Sequence, residues 1–303
     1  MYSDKRKSSN LKGPSKIHLI AVISPAGPVK RGKIFKNIRI FEEKGYRIEF
    51  LPSVFKKTGY LAGSDKERLN DLREALTNPE YDAVICARGG YGSVRLLESL
   101  SKIQIKSPRP FFGFSDITAL HIFLNNAGWV TFHSPNLNGF DELTETAKRH
   151  FFDFISGNYT DPLRYKGKFT LYKGSTTGVL CGGNLSIISS LSGTRVDLRL
   201  GGKILLIEEV NEEPYKIDRM LNQLLLRDDI GGLRGIVFGK FKGCGKLKEI
   251  ISLLKEFSQK LKKPAIYGID VGHIRNNLLI PLNIEYSLNA DKILLTSLDN
   301  PIL

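Results

Sequence analysis

The chain reads as an α/β protein of two domains: an N-terminal doubly wound, mostly parallel sheet, then a C-terminal mixed α/β domain with a β-rich, swivelling or barrel-like sheet. Three observations carry this. Short apolar runs alternate with amphipathic segments through the first half, the pattern of successive βαβ units. A polar, turn-rich stretch without a clear period then separates this half from a fresh set of strands and helices. The length, 303 residues, is enough for two hydrophobic cores. The boundaries are a basic tail over 1–16, a first domain over 17–156, a linker over 157–175 and a second domain over 176–303.

Residues 17–23 (IHLIAVI) form the first strand, ending in the turn residues Ser24-Pro25-Ala26-Gly27-Pro28. Ile34, Phe35, Ile38 and Phe41 share one face of the helix that follows, which ends near Gly45. Residues 47–51 are a second strand. Ser64 and Glu67 form a capping box opening a helix with Leu69, Leu72 and Leu76 inward, stopped by Asn78-Pro79. Residues 82–87 (DAVICA) are a third strand, and Arg88-Gly89-Gly90-Tyr91-Gly92 turns into a helix carrying Val94, Leu97 and Leu100. A strand at 111–114, a helix with Ile117, Leu120 and Leu124, a strand at 129–132 and a helix over 141–155 complete the first domain. In the second, a Gly182-Gly183-Asn184 turn leads into an apolar helix. Strands at 203–207 and 235–239 alternate with helices built on Ile217, Met220, Leu221 and Leu224 and on Ile250, Leu253, Leu254 and Phe257, and short strands follow from Ala265.

Composition narrows the function classes. Hydrophobic residues at 41% and charged residues at 25% are ordinary for a soluble globular protein. No apolar run approaches the roughly 20 residues of a membrane helix, and the N-terminus lacks the apolar stretch and cleavage site of a secretory signal. A cytoplasmic protein without a membrane partner is expected. The net charge of +14 is spread along the chain, with part of it in the tail, and no nucleic-acid module accompanies it. Solvated surface, with attraction of acidic substrates, explains it without a nucleic-acid partner. Cys86, Cys181 and Cys244 are odd in number and far apart, which fits neither a disulfide framework nor a zinc site and suits a reducing compartment.

In an open parallel sheet, ligands bind beyond the carboxyl ends of the strands. The 24–28 loop, the 88–92 turn, Ser115 and His133 all follow strands, so they gather at one edge. Ser115 sits at a strand-to-helix corner, where a hydroxyl is exposed and the following N–H groups stabilise developing negative charge; Ser and Asp are equally the favoured helix caps. An activated serine needs a base and a group that orients it. Among the histidines, His18 and His150 read as structural and His121 as packing. His133 could touch substrate at the edge, and His273 lies in a loop after a strand. The apolar strand Ile204-Leu205-Leu206-Ile207 ends in Glu208-Glu209, and strand alternation lets only one of the two face a site. The glycine turn could be an oxyanion donor facing Ser115 or a phosphate cradle. It matches neither G-x-G-x-x-G nor a P-loop.

Together these stretches resemble the LD-carboxypeptidase family of serine peptidases, which includes murein tetrapeptide LD-carboxypeptidases and microcin C self-immunity peptidases. The similarity rests on Ala62-Gly63-Ser64-Asp65-Lys66-Glu67-Arg68, Ala87-Arg88-Gly89-Gly90-Tyr91-Gly92-Ser93, Gly113-Phe114-Ser115-Asp116-Ile117-Thr118, Gly182-Gly183-Asn184-Leu185, Leu206-Ile207-Glu208-Glu209-Val210, Pro214-Tyr215-Lys216-Ile217-Asp218-Arg219 and Gly272-His273, in that order. The resemblance implies a triad of Ser115, Glu208 and His273 split between the domains, with Glu209 the lesser choice. It also implies an oxyanion hole from the N–H groups of Asp116 and Gly90, and substrate contacts at Gly89, Tyr91 and His133. It implies release of D-alanine from a muropeptide tetrapeptide, no metal or organic cofactor, and a homodimer. Cleavage of a peptidyl-nucleotide amide is the alternative within the family, and a non-catalytic phosphate- or nucleotide-binding module the alternative outside it. The order Ser, Glu, His also occurs in α/β-hydrolases, but Ile117 stands where their G-x-S-x-G elbow needs glycine.

Overall fold

The structure, a computed structural model, describes residues 17–105 and 107–301; the tail expected over 1–16 lies outside the described residues. β1 (Leu19–Ile23) shows how the first domain is layered. Successive strand side chains point to opposite faces: Ile20 and Val22 enter one apolar core, Ala21 and Ile23 another. A strand buried on both faces belongs inside a sheet covered on both sides. β1 accordingly lies between β2 (Arg47–Phe50) and β3 (Ala83–Cys86), parallel to both, and β4 (Phe111–Gly113) and β5 (Thr131–His133) extend the parallel array. α1 (Arg31–Glu42) and α5 (Glu145–Ile155) cover one face, where Phe41 meets Phe140, Phe151 and Phe152. α2 (Asp65–Thr77), α3 (Leu97–Leu100) and α4 (Thr118–Asn126) cover the other, and α2 opens on the Ser64–Glu67 capping box.

The second domain is built on an eight-stranded mixed sheet. In chain order its strands are β6 (Arg164–Lys166), β7 (Phe169–Tyr172), β8 (Ser175–Asn184), β9 (Lys203–Val210), β10 (Gly235–Lys242), β11 (Ala265–Tyr267), β13 (Glu285–Asn289) and β14 (Leu294–Ser297). The spatial order is β6-β14-β13-β8-β9-β10-β11-β7, parallel from β8 to β11 and antiparallel outside that block. β6 and β7 stand at opposite ends of this order yet only two residues apart in the chain, so the sheet curls until its ends approach, as in a barrel. Leu180, Leu206, Val237 and Ile266 fill its interior. Cys181, Leu205, Ile207 and Phe238 face outward against α6 (Leu185–Leu191), α7 (Pro214–Leu225) and α8 (Leu247–Leu261).

Four sequence readings change. Residues 157–175, expected as a linker, contain β6 and β7; buried Leu163 and Tyr165 alternate there with exposed Arg164 and Lys166, a period-two signal only a few residues long. The Gly182–Asn184 stretch is the end of β8 rather than a turn. It is glycine-rich because the strand passes close to α4: a Cβ on Gly183 would lie 2.5 Å from Thr118 Oγ1, while the Asn184 N–H donates to that hydroxyl at 3.0 Å. Phe35 turns outward and stacks on Phe55 instead of entering the core. Finally, β12 (Ile280–Leu282), from the second half of the chain, completes the first sheet by pairing antiparallel with β5.

Candidate active site

The serine corner is a strained backbone. β4 ends at Gly113, Phe114 stays extended, and Ser115 takes φ 69° before a short 3-10 turn leads into α4. A left-handed conformation costs an L-residue about 1–2 kcal/mol, and here it lifts the hydroxyl out of the line of the strand. The glycine turn lies directly against it: a Cβ on Gly89 would be 2.8 Å from Ser115 Cβ and 3.0 Å from Ser115 Oγ. The Gly89 carbonyl accepts from the Gly27 N–H at 3.0 Å. A trans peptide directs its C=O and the next N–H in opposite directions, so the Gly90 N–H points away from Gly27.

Two buried charged side chains hold these loops together. Asp116 Oδ2 accepts from the Ser93 N–H at 2.8 Å, and Ser93 Oγ–H returns a bond to the Asp116 carbonyl at 2.6 Å. Burial pushes the Asp116 carboxyl above its usual range. The Arg68 guanidinium, 1% exposed, donates to the Pro25 carbonyl, to Gly92 O at 2.9 Å and to Asp65 at 2.5 Å, tying the 24–28 loop to the 88–92 turn. A buried cation is tolerated only when paired and hydrogen-bonded.

The second half of the chain supplies an acid and a base. The buried run Ile204–Ile207 carries β9 to Glu208, fully buried, whose Oε2 lies 2.8 Å from His273 Nδ1. A carboxylate can only accept, so Nδ1–H donates, and in the neutral imidazole this tautomer leaves the Nε2 lone pair free. Glu209 points the other way. It accepts from Asn184 Nδ2 (2.9 Å), the Ser186 N–H (2.8 Å), Ser186 Oγ–H (2.6 Å) and the Val210 N–H (2.8 Å), anchoring the start of α6. The loop bearing His273 is fastened to the first domain, with Arg275 O accepting from the Thr144 N–H and Arg275 Nε donating to Glu142 O, each at 2.9 Å.

Ser115 and His273 line one cavity of about 610 Å³, with Gly89 and Gly90 on its wall and the cationic groups of Arg88, Lys242 and Arg275 around it. The Phe114 ring lies 4.7 Å, centroid to centroid, from the His273 imidazole. Of the residues singled out from sequence, Gly89, Gly90, Ser115 and His273 meet here. Glu208 stands behind the histidine, and Asp116 sits next to the serine with its side chain turned inward.

Two expected substrate contacts lie elsewhere. His133 does not line the cavity: at 0% exposure it is sealed by the Phe114 ring and by β12, which pairs with it through Ile280. Burial drives its pKa well below the ordinary histidine value. Tyr91 lies outside the main cavity, on a neighbouring groove. His121 packs as expected, with Nε2 bonded to Gly113 O at 2.8 Å and its pKa lowered to about 4 by burial. Sequence reading missed Asn211, Lys242 and Arg275. Arg275 was visible two residues after His273, whereas Lys242 is brought in by β10, whose last residue carries no signal of its own. Among the described residues, no group of three or more His, Cys, Asp or Glu side chains could hold a metal ion, and no helix is long and apolar enough to cross a membrane.

Residues 20–134 match the LD-carboxypeptidase N-terminal domain and residues 177–288 the LD-carboxypeptidase C-terminal domain. A Bacillus subtilis (strain 168) protein named "Probable murein peptide carboxypeptidase" is 36% identical over 89% of this chain and 88% of its own. The murein tetrapeptide carboxypeptidase of Pseudomonas aeruginosa is 30% identical over 86% and 90%. The crystal structure of the muramoyltetrapeptide carboxypeptidase from Oxalobacter formigenes superposes with a TM-score of 0.83 at 28% identity, covering 93% of this chain and 99% of that one. The chain belongs to the LD-carboxypeptidase family and is a serine carboxypeptidase, a hydrolase of peptide bonds.

Proposed function

We propose that the protein releases the terminal D-alanine from murein tetrapeptides in the cytoplasm, as a step of peptidoglycan recycling. The observation that carries this is the meeting of Ser115 and His273 at one cavity with Glu208 bonded behind the imidazole. In this reading His273 Nε2 takes the proton of Ser115 Oγ as it attacks the scissile carbonyl, and Glu208 steadies the imidazolium. The N–H groups of Asp116 and Gly90 receive the oxyanion. His273 then protonates the leaving D-alanine amine, and water, deprotonated by the same imidazole, frees the acyl group from Ser115. The cationic rim of Arg88, Lys242 and Arg275 suits a substrate rich in carboxylates. Three buried free thiols suit a reducing compartment. The homodimer implied by the family resemblance is part of this reading.

The test is D-alanine release from purified murein tetrapeptide, followed by mass spectrometry, for the wild-type protein and for Ser115→Ala. Loss of roughly 10⁴-fold or more in kcat with peptide binding retained is expected. Unchanged release by Ser115→Ala, or wild-type cleavage of a peptidyl-nucleotide amide in place of the tetrapeptide, overturns the reading. Light scattering on the same preparation reads the oligomeric state, and a monomer at assay concentration removes the homodimer from it.

A further inference from the structure

The corner that carries Ser115 is supported from outside its own strand. Gly113 O accepts from the Ser134 N–H at 3.0 Å, which continues the pairing of β4 with β5 to the last residue of β4. Successive residues of a strand direct their hydrogen-bonding groups to opposite edges, so those of Phe114 turn to the side of β3. That strand stops at Cys86, and its chain leaves for the 88–92 turn. Phe114 is extended, with φ −156° and ψ −177°. A residue in that conformation presents its N–H and its C=O side by side along one edge.

Asn136 stands where a neighbouring strand would. Its Oδ1 accepts from the Phe114 N–H at 3.2 Å, and its Nδ2 donates to the Phe114 carbonyl at 3.3 Å. A carboxamide carries one acceptor beside one donor, so these two partners also fix which way it faces. The side chain is 7% exposed. It occupies the N-cap position of the 3-10 turn Leu137–Glu142 but makes no capping bond there, although an asparagine in that place ordinarily turns to the N–H groups of its own turn. The segment is fastened by its neighbours instead. Asn138 N–H donates to Ala87 O at 2.8 Å, and Asn37 Nδ2 donates to Leu137 O at 2.6 Å.

The consequence falls on the next residue. The Phe114 carbonyl and the Ser115 N–H belong to one planar peptide. Rotating that plane is what would carry φ of Ser115 from 69° toward the negative values an L-residue prefers. The bond from Asn136 Nδ2 holds the plane by its oxygen. The same grip sets the direction of the Phe114 ring, which lies 4.7 Å, centroid to centroid, from the His273 imidazole.

We propose that Asn136 is a positioning residue: by pairing with both backbone groups of Phe114, it keeps Ser115 in the left-handed conformation that presents its hydroxyl to the cavity. This rests on the peptidase reading above for the role of Ser115, so one measurement reads the clamp without catalysis.

Two variants separate the two bonds. Asn136→Leu removes both. Asn136→Asp at alkaline pH keeps an acceptor for the Phe114 N–H and offers no donor to the Phe114 carbonyl. Amide hydrogen exchange at Phe114 reads the first bond; kcat for D-alanine release and the rate of Ser115 labelling by a fluorophosphonate read the second. Exchange at Phe114 is expected to quicken roughly tenfold or more in Asn136→Leu and to stay near wild type in Asn136→Asp. Both variants are expected to lose roughly 10- to 100-fold in kcat and in labelling rate, while KM stays within about threefold and melting remains cooperative. If Asn136→Leu fails to fold, Asn136→Asp decides alone. A folded Asn136→Asp protein with kcat within about twofold of wild type overturns the positioning role. A raised KM with kcat unchanged overturns it as well, by making Asn136 a substrate contact. Equal Phe114 exchange in the wild-type protein and Asn136→Leu removes the clamp whatever the activity. A wild-type protein that neither releases D-alanine nor labels at Ser115 refutes the peptidase reading, and quickened exchange in Asn136→Leu then leaves the clamp standing.

Discussion

Gly89→Ala places one methyl group between the glycine turn and the serine. On the present backbone that carbon would lie 2.8 Å from Ser115 Cβ, 3.0 Å from Ser115 Oγ and 3.2 Å from the Phe114 carbonyl. Carbon–carbon contact becomes favourable only near 3.5 Å, so turn and serine must separate by roughly 0.5–0.7 Å. The turn is poorly able to yield, since Gly89 O is bonded to the Gly27 N–H and Ser93 is tied twice to Asp116. The serine corner, already left-handed at φ 69°, takes part of the shift. Overpacking of this kind costs about 1–3 kcal/mol of stability. Activity suffers more, because a misplacement of about 1 Å costs roughly 100-fold, and here the proposed nucleophile and the proposed oxyanion donor move in opposite directions. The expected result is a 10- to 100-fold loss in kcat with KM changed little, in a protein that still melts cooperatively a few degrees lower. A folded Gly89→Ala protein with kcat within about twofold of wild type would refute the proposed catalytic pairing of this turn with Ser115.

Neighbouring glutamates should respond in opposite ways. Glu208→Gln is expected to lower kcat by about 10³–10⁴-fold through loss of the imidazolium partner, with little change in melting temperature. In Glu209→Gln, either amide orientation sets an NH₂ against two donors, Asn184 and Val210 or the two Ser186 groups; a loss of about 1–3 kcal/mol in stability follows, with kcat within a few-fold. Equal kcat losses in the two variants would contradict the division of roles. The buried histidines make stability pH-dependent: His121 is lowered from 6.5 to about 4, and His133 moves in the same direction. Between those values the unfolded chain binds protons that the folded one does not, so stability falls as pH drops from about 6.5 toward 4. Melting curves across that range should be flatter for His133→Leu than for the wild-type protein, and identical slopes would disprove the contribution.

Legibility followed the range of the interactions. The capping box at Ser64–Glu67 and the period of β1 through α4 are local, and they survive into the structure because the side chains that signal each element also bury it. Strand alternation reduced the candidate acid to one of two residues, and packing favours Glu208, since Glu209 is bonded to the start of α6. What stayed hidden is non-local. β6 and β7 are too short to show a period, and their partners lie more than 90 residues away. Phe35 carries the helix-face spacing of a core residue, but its neighbours Phe50 and Phe55 hold it at the surface. His133 followed a strand as a ligand contact should, yet β12 arrives from the far end of the chain to cover it.

That same strand explains how the proposed triad, divided between domains, is held together. His273 lies between β11 in the second sheet and β12 in the first, so each sheet holds one end of its loop. The first domain grips the loop further, through Thr144 and Glu142 to Arg275 and through His150 Nε2 to Leu279 O at 2.9 Å, while Tyr165 Oη, from β6 of the second sheet, donates to the same carbonyl at 2.9 Å. The second holds the imbedded carboxylate behind the imidazole. Moving the domains apart would break the β5–β12 pairing together with these bonds, each worth about 1 kcal/mol net, and would expose Ile280 and Leu282, which are fully buried. The cost is several kcal/mol, comparable to a substantial part of a domain's whole stability. The serine and the histidine are therefore held at one cavity by the β5–β12 pairing and by the bonds that fasten the loop between β11 and β12.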